Sequence, residues 1–218
     1  MDYKKQKVFF KNAYDLGEKR ISAGYGWPLE VDPQLPIFLK DIQKSLQSGK
    51  VLDLGCGQGR HTIFFAQNGF DAYGIDYLER PIEEAKELAK EKGLSSTHFL
   101  KMDIFQLDFP KNFFDIMLDW SILDHISPQD WDMYLKNILD SLKIGGFLIL
   151  TEFSANDERV KEKEKNFAMD RDSYDHYFKE DEIRDMFSKN FEIIEINETL
   201  LETAPPHLMI NVLMRRKS

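Results

Sequence analysis

The sequence predicts an α/β fold: a mainly parallel sheet with helices on both faces, closed at one edge by an antiparallel hairpin. Three observations predict it. From Val51 onward, short apolar runs alternate with amphipathic helical stretches, the pattern of parallel strands joined by crossover helices. The first run, Val51–Leu54, leads straight into a glycine-rich turn at Gly55, Gly57 and Gly59. The last two runs, Phe191–Ile196 and His207–Met214, have only a loop with Pro205 and Pro206 between them, so they should pair antiparallel.

The elements follow in order. Lys7–Arg20 is a plausible helix with a mixed face, and Gly24 to Pro28 must be irregular. Asp32 and Pro33 are suited to cap and open a helix, in which Leu35, Phe38, Leu39, Ile42 and Leu46 share one face before Gly49 stops it. Residues 1–48 thus form a helical cap, and 49–218 form the core of a single domain. Thr62–Asn68 completes the first crossover, and Phe70–Ile75 is the second strand. Pro81 starts the next helix, with Ile82, Ala85, Leu88 and Ala89 inward and Gly93 at its end. Thr97–Lys101 is a short third strand, and the apolar run Phe113–Leu118 is a central strand buried on both faces. Ser127 to Asp130 reads as a capping box with proline at the first helical position, before the stripe Trp131, Tyr134, Leu135, Ile138, Leu139, Leu142. Gly145-Gly146 turns into strand Phe147–Thr151, and Lys179–Ser188 is a helix with acids in its first turn.

Composition narrows the function. A chain of 218 residues with 42% hydrophobic content suits one α/β domain. A net charge of −9 disfavours nucleic acid as a bulk partner, because phosphate binding needs a basic field. A single cysteine, Cys56, allows neither an intrachain disulfide nor a cysteine-rich zinc site. The five histidines and the carboxylates show no metal-ligand spacing. No run reaches membrane-spanning length and the first residues lack a signal-peptide core. The expectation is a soluble cytoplasmic protein with a small-molecule partner, and neither nucleic acid nor membrane.

The glycine turn carries the chemistry. Glycines there let the backbone turn sharply and a ligand approach without Cβ atoms in the way, and the helix starting at Arg60 and His61 offers unpaired N–H groups. Strand 2 ends in Asp76, 19 residues after Gly57. An acid at that place accepts hydrogen bonds from both hydroxyls of an adenosine ribose. The dinucleotide fingerprint G-x-G-x-x-G needs glycine at position 60, where Arg60 stands instead, so this loop is G-x-G-x-G.

With Val-Leu-Asp-Leu in front, that loop closely resembles motif I of the class I S-adenosylmethionine (SAM)-dependent methyltransferases, in particular the short bacterial type that acts on small molecules. The resemblance implies a Rossmann-like, doubly wound seven-stranded sheet of order 3-2-1-4-5-7-6 with strand 7 antiparallel. It covers about residues 50–218. It implies methyl transfer by in-line displacement, with S-adenosylhomocysteine as product. By position in the family, Gly55, Cys56, Gly57 and Gly59 form the loop at the methionine part of SAM, with Asp53 near its ammonium. Asp76 holds the ribose, Tyr77 packs on the adenine, and Asp103 with Ile104 contacts its amino group and ring. Asp119 and Trp120 line the channel between donor and acceptor.

Each assignment has a plainer counterpart. Asp53 serves equally to bond backbone near the loop, Asp103 to cap a turn, Asp119 as an exposed strand-end carboxylate. His125 shapes the pocket, bonds backbone or acts as a base. His176, in a segment resembling the substrate cover of small-molecule enzymes, is a further catalytic candidate. Neither histidine shows an orienting partner, since Asp124 and Asp175 point elsewhere in regular segments. Tyr25 and Trp27 are candidates to close the site, and the charged stretch 154–172 reads as a lid or a solvated segment. A non-catalytic SAM binder and an NAD-dependent oxidoreductase are the alternative readings.

Overall fold

The computed structural model describes residues 3–15, 30–158, 175–203 and 206–218. Tyr25, Trp27 and most of the stretch 154–172 lie outside them.

Seven strands form one sheet. They are β1 (Lys50–Leu54), β2 (Asp71–Asp76), β3 (Thr97–Lys101), β4 (Phe114–Trp120), β5 (Leu142–Phe153), β6 (Phe191–Leu201) and β7 (His207–Arg216). Their order is β3-β2-β1-β4-β5-β7-β6. β7 runs antiparallel to both β5 and β6, and the other pairs are parallel. The expected order and the antiparallel closure are both present. β1 is central, flanked by β2 and β4, and four of its five residues are buried. This is why Val51–Leu54 reads as continuously apolar apart from Asp53.

The helices are α1 (Tyr3–Asp15), α2 (Leu35–Ile42), α3 (Arg60–Gln67), α4 (Glu79–Glu91), α5 (Trp131–Ser141) and α6 (Glu180–Phe187). Two apolar layers flank the sheet. On one side Leu52, Leu54, Met117 and Leu148 meet Tyr134 and Ile138 of α5 and Ile183 and Phe187 of α6. On the other, Val51, Ile116 and Ile149 meet Phe65 of α3 and the α2 face Leu35, Phe38, Leu39 and Ile42. So α2, although it precedes the first strand, is part of the packed body. α1 is polar overall and reaches over the carboxyl ends of the strands.

Local departures from expectation have local causes. α4 begins at Glu79, so Pro81 sits inside the first turn, where a missing N–H loses no intrahelical bond. Ser127 makes no side-chain cap. Pro128–Asp130 forms a 3₁₀ turn that leads into α5, and no capping box is present. Gly145 and Gly146 lie inside β5. Gly145 has φ 76°, and the β4–β5 register shifts between Phe114 and Ile116, so the glycines absorb an irregularity within the strand. β6 and β7 run longer than their apolar cores because each pairs along its length with the other.

Candidate active site

A cavity of about 430 Å³ opens at the carboxyl ends of β1, β2 and β4, the place where open α/β sheets bind ligands. Gly55 and Gly57 line it with φ of 61° and 54°, a left-handed conformation that disfavours side chains. A Cβ on Gly57 would lie 2.6 Å from the hydroxyl of Tyr14, and one on Gly55 would collide with Ile122 Cδ1. The loop therefore needs glycine both for its backbone and for its neighbours. Gly59 does not line the cavity. It precedes α3 at φ 80°, packed against Phe99 and Ala85.

Asp76 lies at the tip of β2 and lines the cavity. Its Oδ2 accepts from the Gly57 N–H at 3.2 Å and its Oδ1 from the Leu78 N–H at 2.8 Å. These bonds fix the carboxylate plane. Burial pushes its pKa up to about 6 despite those two donors. Asp53 is 1% exposed. Its Oδ2 accepts from both the N–H and the hydroxyl of Thr62, at 3.0 and 2.7 Å, which ties β1 to the first turn of α3. Burial raises its pKa to about 7. Cys56 also lines the cavity, and burial holds its thiol well above the ordinary range. It is therefore not a thiolate nucleophile.

Tyr77 lines the wall beyond Asp76. Its hydroxyl is buried and has no hydrogen-bond partner among the described residues. Met102 and Ile104 continue this wall. A carboxylate held by backbone, an orphaned hydroxyl and an apolar wall fit a nucleoside-bearing ligand. Asp103 does not reach the cavity surface. It accepts from the Phe105 N–H at 3.0 Å and from Lys7 Nζ at 2.6 Å.

The opposite wall comes from the end of β4. Trp120, Ser121, Ile122, His125 and Ile126 line it. Asp119 does not. Its carboxylate is fully buried, accepting from Ile122 N–H at 2.9 Å and from the Tyr134 hydroxyl at 2.5 Å. The alternation of a strand turns residue 119 away from the side that residue 120 faces. His125 is held at Nδ1 by Asp175 Oδ1 at 3.0 Å, with Phe10 edge-on to its ring at 5.0 Å. The expectation that no acid orients it is thus corrected. His176 is only 3% exposed and lies off the cavity. Its Nε2 meets Glu182 at 2.9 Å, and its ring packs between Trp131 and Phe178. That is a packing role.

Sequence reading missed two features. Gln6, Lys7, Phe10 and Tyr14 of α1 line the cavity; Lys7, Phe10 and Tyr14, three and four residues apart, share one helical face with Gln6 beside them. Their helix was readable, but its mixed face gave no sign of a roof. Arg60 also lines the cavity, its guanidinium 4.1 Å from the centre of the Trp120 ring. Burial lowers its pKa to about 10, so it stays charged. In the sequence the position marks the helix start and the absence of a third glycine, with no sign that its side chain lines the cavity.

The comparisons agree with this geometry. Residues 46–204 match the methyltransferase domain family. The chain is 25% identical over 162 residues to a Haemophilus influenzae protein named as a probable S-adenosyl-L-methionine-dependent methyltransferase, TehB, covering 74% of this chain and 52% of that one. It is 26% identical over 174 residues to 2-heptyl-1-hydroxyquinolin-4(1H)-one methyltransferase of Mycobacteroides abscessus, covering 80% and 72%. The chain spans about half the length of several curated relatives it matches. Other relatives are named for a protein lysine or a tRNA as acceptor. Among solved structures, the Burkholderia thailandensis 1,6-didemethyltoxoflavin-N1-methyltransferase, with its substrate and S-adenosylhomocysteine bound, superposes with a TM-score of 0.75 at 22% identity, covering 95% of this chain and 88% of that one. Loop, sheet order and family match converge: the chain belongs to the methyltransferase domain family.

Proposed function

We propose that the protein transfers the methyl group of S-adenosylmethionine to a small-molecule acceptor. One observation carries the reading: the cavity joins the glycine turn and Asp76 on one side to Trp120 and His125 on the other, with residues of α1 lining it as well. SAM, when bound, supplies a methyl group already activated on a sulfonium. The residues of the chain bind and orient it. Asp76, its plane fixed by Gly57 and Leu78, accepts the ribose hydroxyls. Tyr77, Met102 and Ile104 form the side for the adenine. Asp53, buried behind Gly55, ionises more readily once an ammonium group lies nearby.

The remaining space belongs to the acceptor. Phe10, Trp120, Ile122 and Ile126 give it apolar and aromatic walls, and His125 is the proton acceptor candidate. Holding both reactants in one dry cavity lowers the barrier by positioning, an effect that reaches roughly 7–11 kcal/mol in favourable cases. The small-molecule class is supported by the roof, which narrows access for a polymer, and by the net charge of −9. The test is a thermal-shift series with SAM, S-adenosylhomocysteine and NAD, followed by turnover on a panel of phenols, amines and N-hydroxy heteroaromatics. The product and SAM should raise the melting temperature and NAD should not. A shift with NAD alone, or transfer only to protein or RNA, overturns the reading.

A further inference from the structure

Behind the β4 wall of the cavity, three carboxylates are wholly buried: Asp119 on β4, Asp124 in the turn that follows, and Glu152 on β5. Asp119 is well supplied with donors, from Ile122 N–H and the Tyr134 hydroxyl of α5. Asp124 Oδ2 accepts from the Ser121 hydroxyl at 2.7 Å. Glu152 is not so supplied. Its Oε2 accepts from the Asp124 N–H at 3.0 Å, while its Oε1 meets no N–H or hydroxyl donor among the described residues. Asp119 is buried in the same cluster, and its carboxylate favours a proton on Glu152. Two ionised carboxylates buried together repel, and a proton on the one that lacks donors relieves that repulsion. Asp119 has the donors that stabilise its charge; Glu152 lacks them.

The surrounding charges fit. Beyond Asp124, His125 Nε2 lies 3.6 Å from Asp124 Oδ1, and Asp175 holds the far side of that ring. Asp53 on β1 adds negative potential at Asp119. Burial and these neighbours hold Glu152 well above the ordinary carboxylate range.

This network supports the segment that walls the cavity. Ser121 sits at φ 56°, strained for a residue with a side chain. It is held there by its hydroxyl on Asp124 and by its N–H on Thr151 O at 2.8 Å. Ile122 next to it presses on Gly55 of the glycine turn. We propose that Glu152 is a positioning residue for methyl transfer: it holds one proton, donates it to Asp119, and accepts from Asp124 N–H, so fixing the Ser121–His125 turn against the cofactor loop. The positioning half rests on the methyltransferase reading; the proton half does not.

The test uses the full chain with Glu152→Gln and Glu152→Ala. A glutamine amide donates to Asp119 and accepts from Asp124 as the neutral acid does. Glu152→Gln should therefore bind S-adenosylhomocysteine like the wild type, and Glu152→Ala should bind it about tenfold or more weakly. Unchanged binding in Glu152→Ala overturns the positioning role. Stability then reads the proton. A carboxyl whose folded pKa is raised gives stability that is present at low pH and lost as pH rises through that value. Glutamine has no such loss, so Glu152→Gln should gain on the wild type as pH rises above the ordinary carboxylate range. A gap that does not change with pH overturns the shared proton. An infrared carbonyl band of a protonated acid, present in the wild type above the pH at which Asp53, Asp76 and Asp124 ionise (about 7, 6 and 6), should vanish in Glu152→Gln; a band that stays assigns the proton elsewhere. If Glu152→Ala fails to fold, the glutamine variant still decides. If the wild type fails to bind S-adenosylhomocysteine, the methyltransferase reading falls, while the pH gap and the infrared band still test the proton.

Discussion

Lys7 Nζ donates to Asp103 Oδ2 at 2.6 Å, joining helix α1 to the far side of the sheet across 96 residues of chain. The pair spans the edge of the cavity. Asp103 follows β3, Lys7 lies on the face of α1 that roofs the site, and the ammonium also stands 5.4 Å from the centre of the Tyr77 ring. The acid expected to meet an adenine thus fastens the roof instead.

Lys7→Ala should loosen that roof. The lysine side chain is 36% exposed and the aspartate 14%, so the ion pair itself is worth only about 0–1 kcal/mol. Melting temperature should barely move. Dissociation of S-adenosylhomocysteine should quicken by severalfold, because α1 no longer closes over Tyr77. Stopped-flow release measures it. A release rate equal to the wild type would show that the Lys7–Asp103 pair does not control closure.

Asp76→Asn should weaken S-adenosylhomocysteine binding without unfolding the protein. The amide retains one acceptor oxygen but places a donor group against either Gly57 N–H or Leu78 N–H. Bonds to a charged group contribute roughly 1.5–3 kcal/mol, so a loss of about tenfold or more is expected by calorimetry. Affinity of the wild type should also fall as pH drops through about 6, where Asp76 takes up a proton. Affinity flat with pH would mean that the ribose is held elsewhere.

Stability of the free protein should decline from acid to neutral pH. Asp53, Asp76 and Asp124 all have raised pKa values, about 7, 6 and 6. A raised carboxyl binds its proton more tightly when folded. Its contribution is present below the ordinary carboxylate pKa and is lost as pH rises through 6 to 7. Melting should therefore be higher near pH 5 than near pH 8, and S-adenosylhomocysteine should offset part of the decline. A melting temperature that rises over that interval would contradict the assignment of burial as the dominant cause.

Much of the fold was legible because it is written in local terms. Val51–Leu54, Gly55–Gly59 and Asp76 sit within one β-turn-α-β unit, and strand, turn and acid each leave a mark in sequence. The antiparallel end was legible from the absence of a helix between two strands. What stayed hidden depends on the side of an element or on distant pairing. Asp119 and Trp120 are neighbours, yet only the second faces the cavity, and strand polarity was not decidable from a run apolar on both faces. Lys7 finds Asp103, His125 finds Asp175 across 50 residues, and Glu152 finds the Asp124 N–H across 28. No periodicity encodes such partners. Glu152 lies one residue past the expected strand Phe147–Thr151, and only the longer β5, which runs to Phe153, brings it into the sheet.

The His125 prediction turns on one of these pairings. Asp175 at 3.0 Å fixes Nδ1, and Phe10 and Phe153 meet the ring edge-on. The ring is therefore oriented, and it lines the cavity on the Trp120 side. An oriented imidazole is the arrangement that general base catalysis uses, with a typical worth of about 10²–10⁴-fold. For an acceptor that carries a dissociable proton, such as a phenol or an N-hydroxy heteroaromatic, His125→Ala should lower kcat by that order. Asp175→Asn should lower it less, because the ring stays in place while its partner loses charge. Affinity for S-adenosylhomocysteine should be unchanged in both, since neither side chain belongs to the Asp76 side of the cavity. The acid limb of the wild-type pH–rate profile should disappear in His125→Ala, because a base must be neutral to act and the variant has no ring to titrate. His176→Ala, paired with Glu182 and away from the cavity, should leave that limb intact. A limb that survives in His125→Ala, or one that vanishes in His176→Ala, would reject the assignment of His125 as the base.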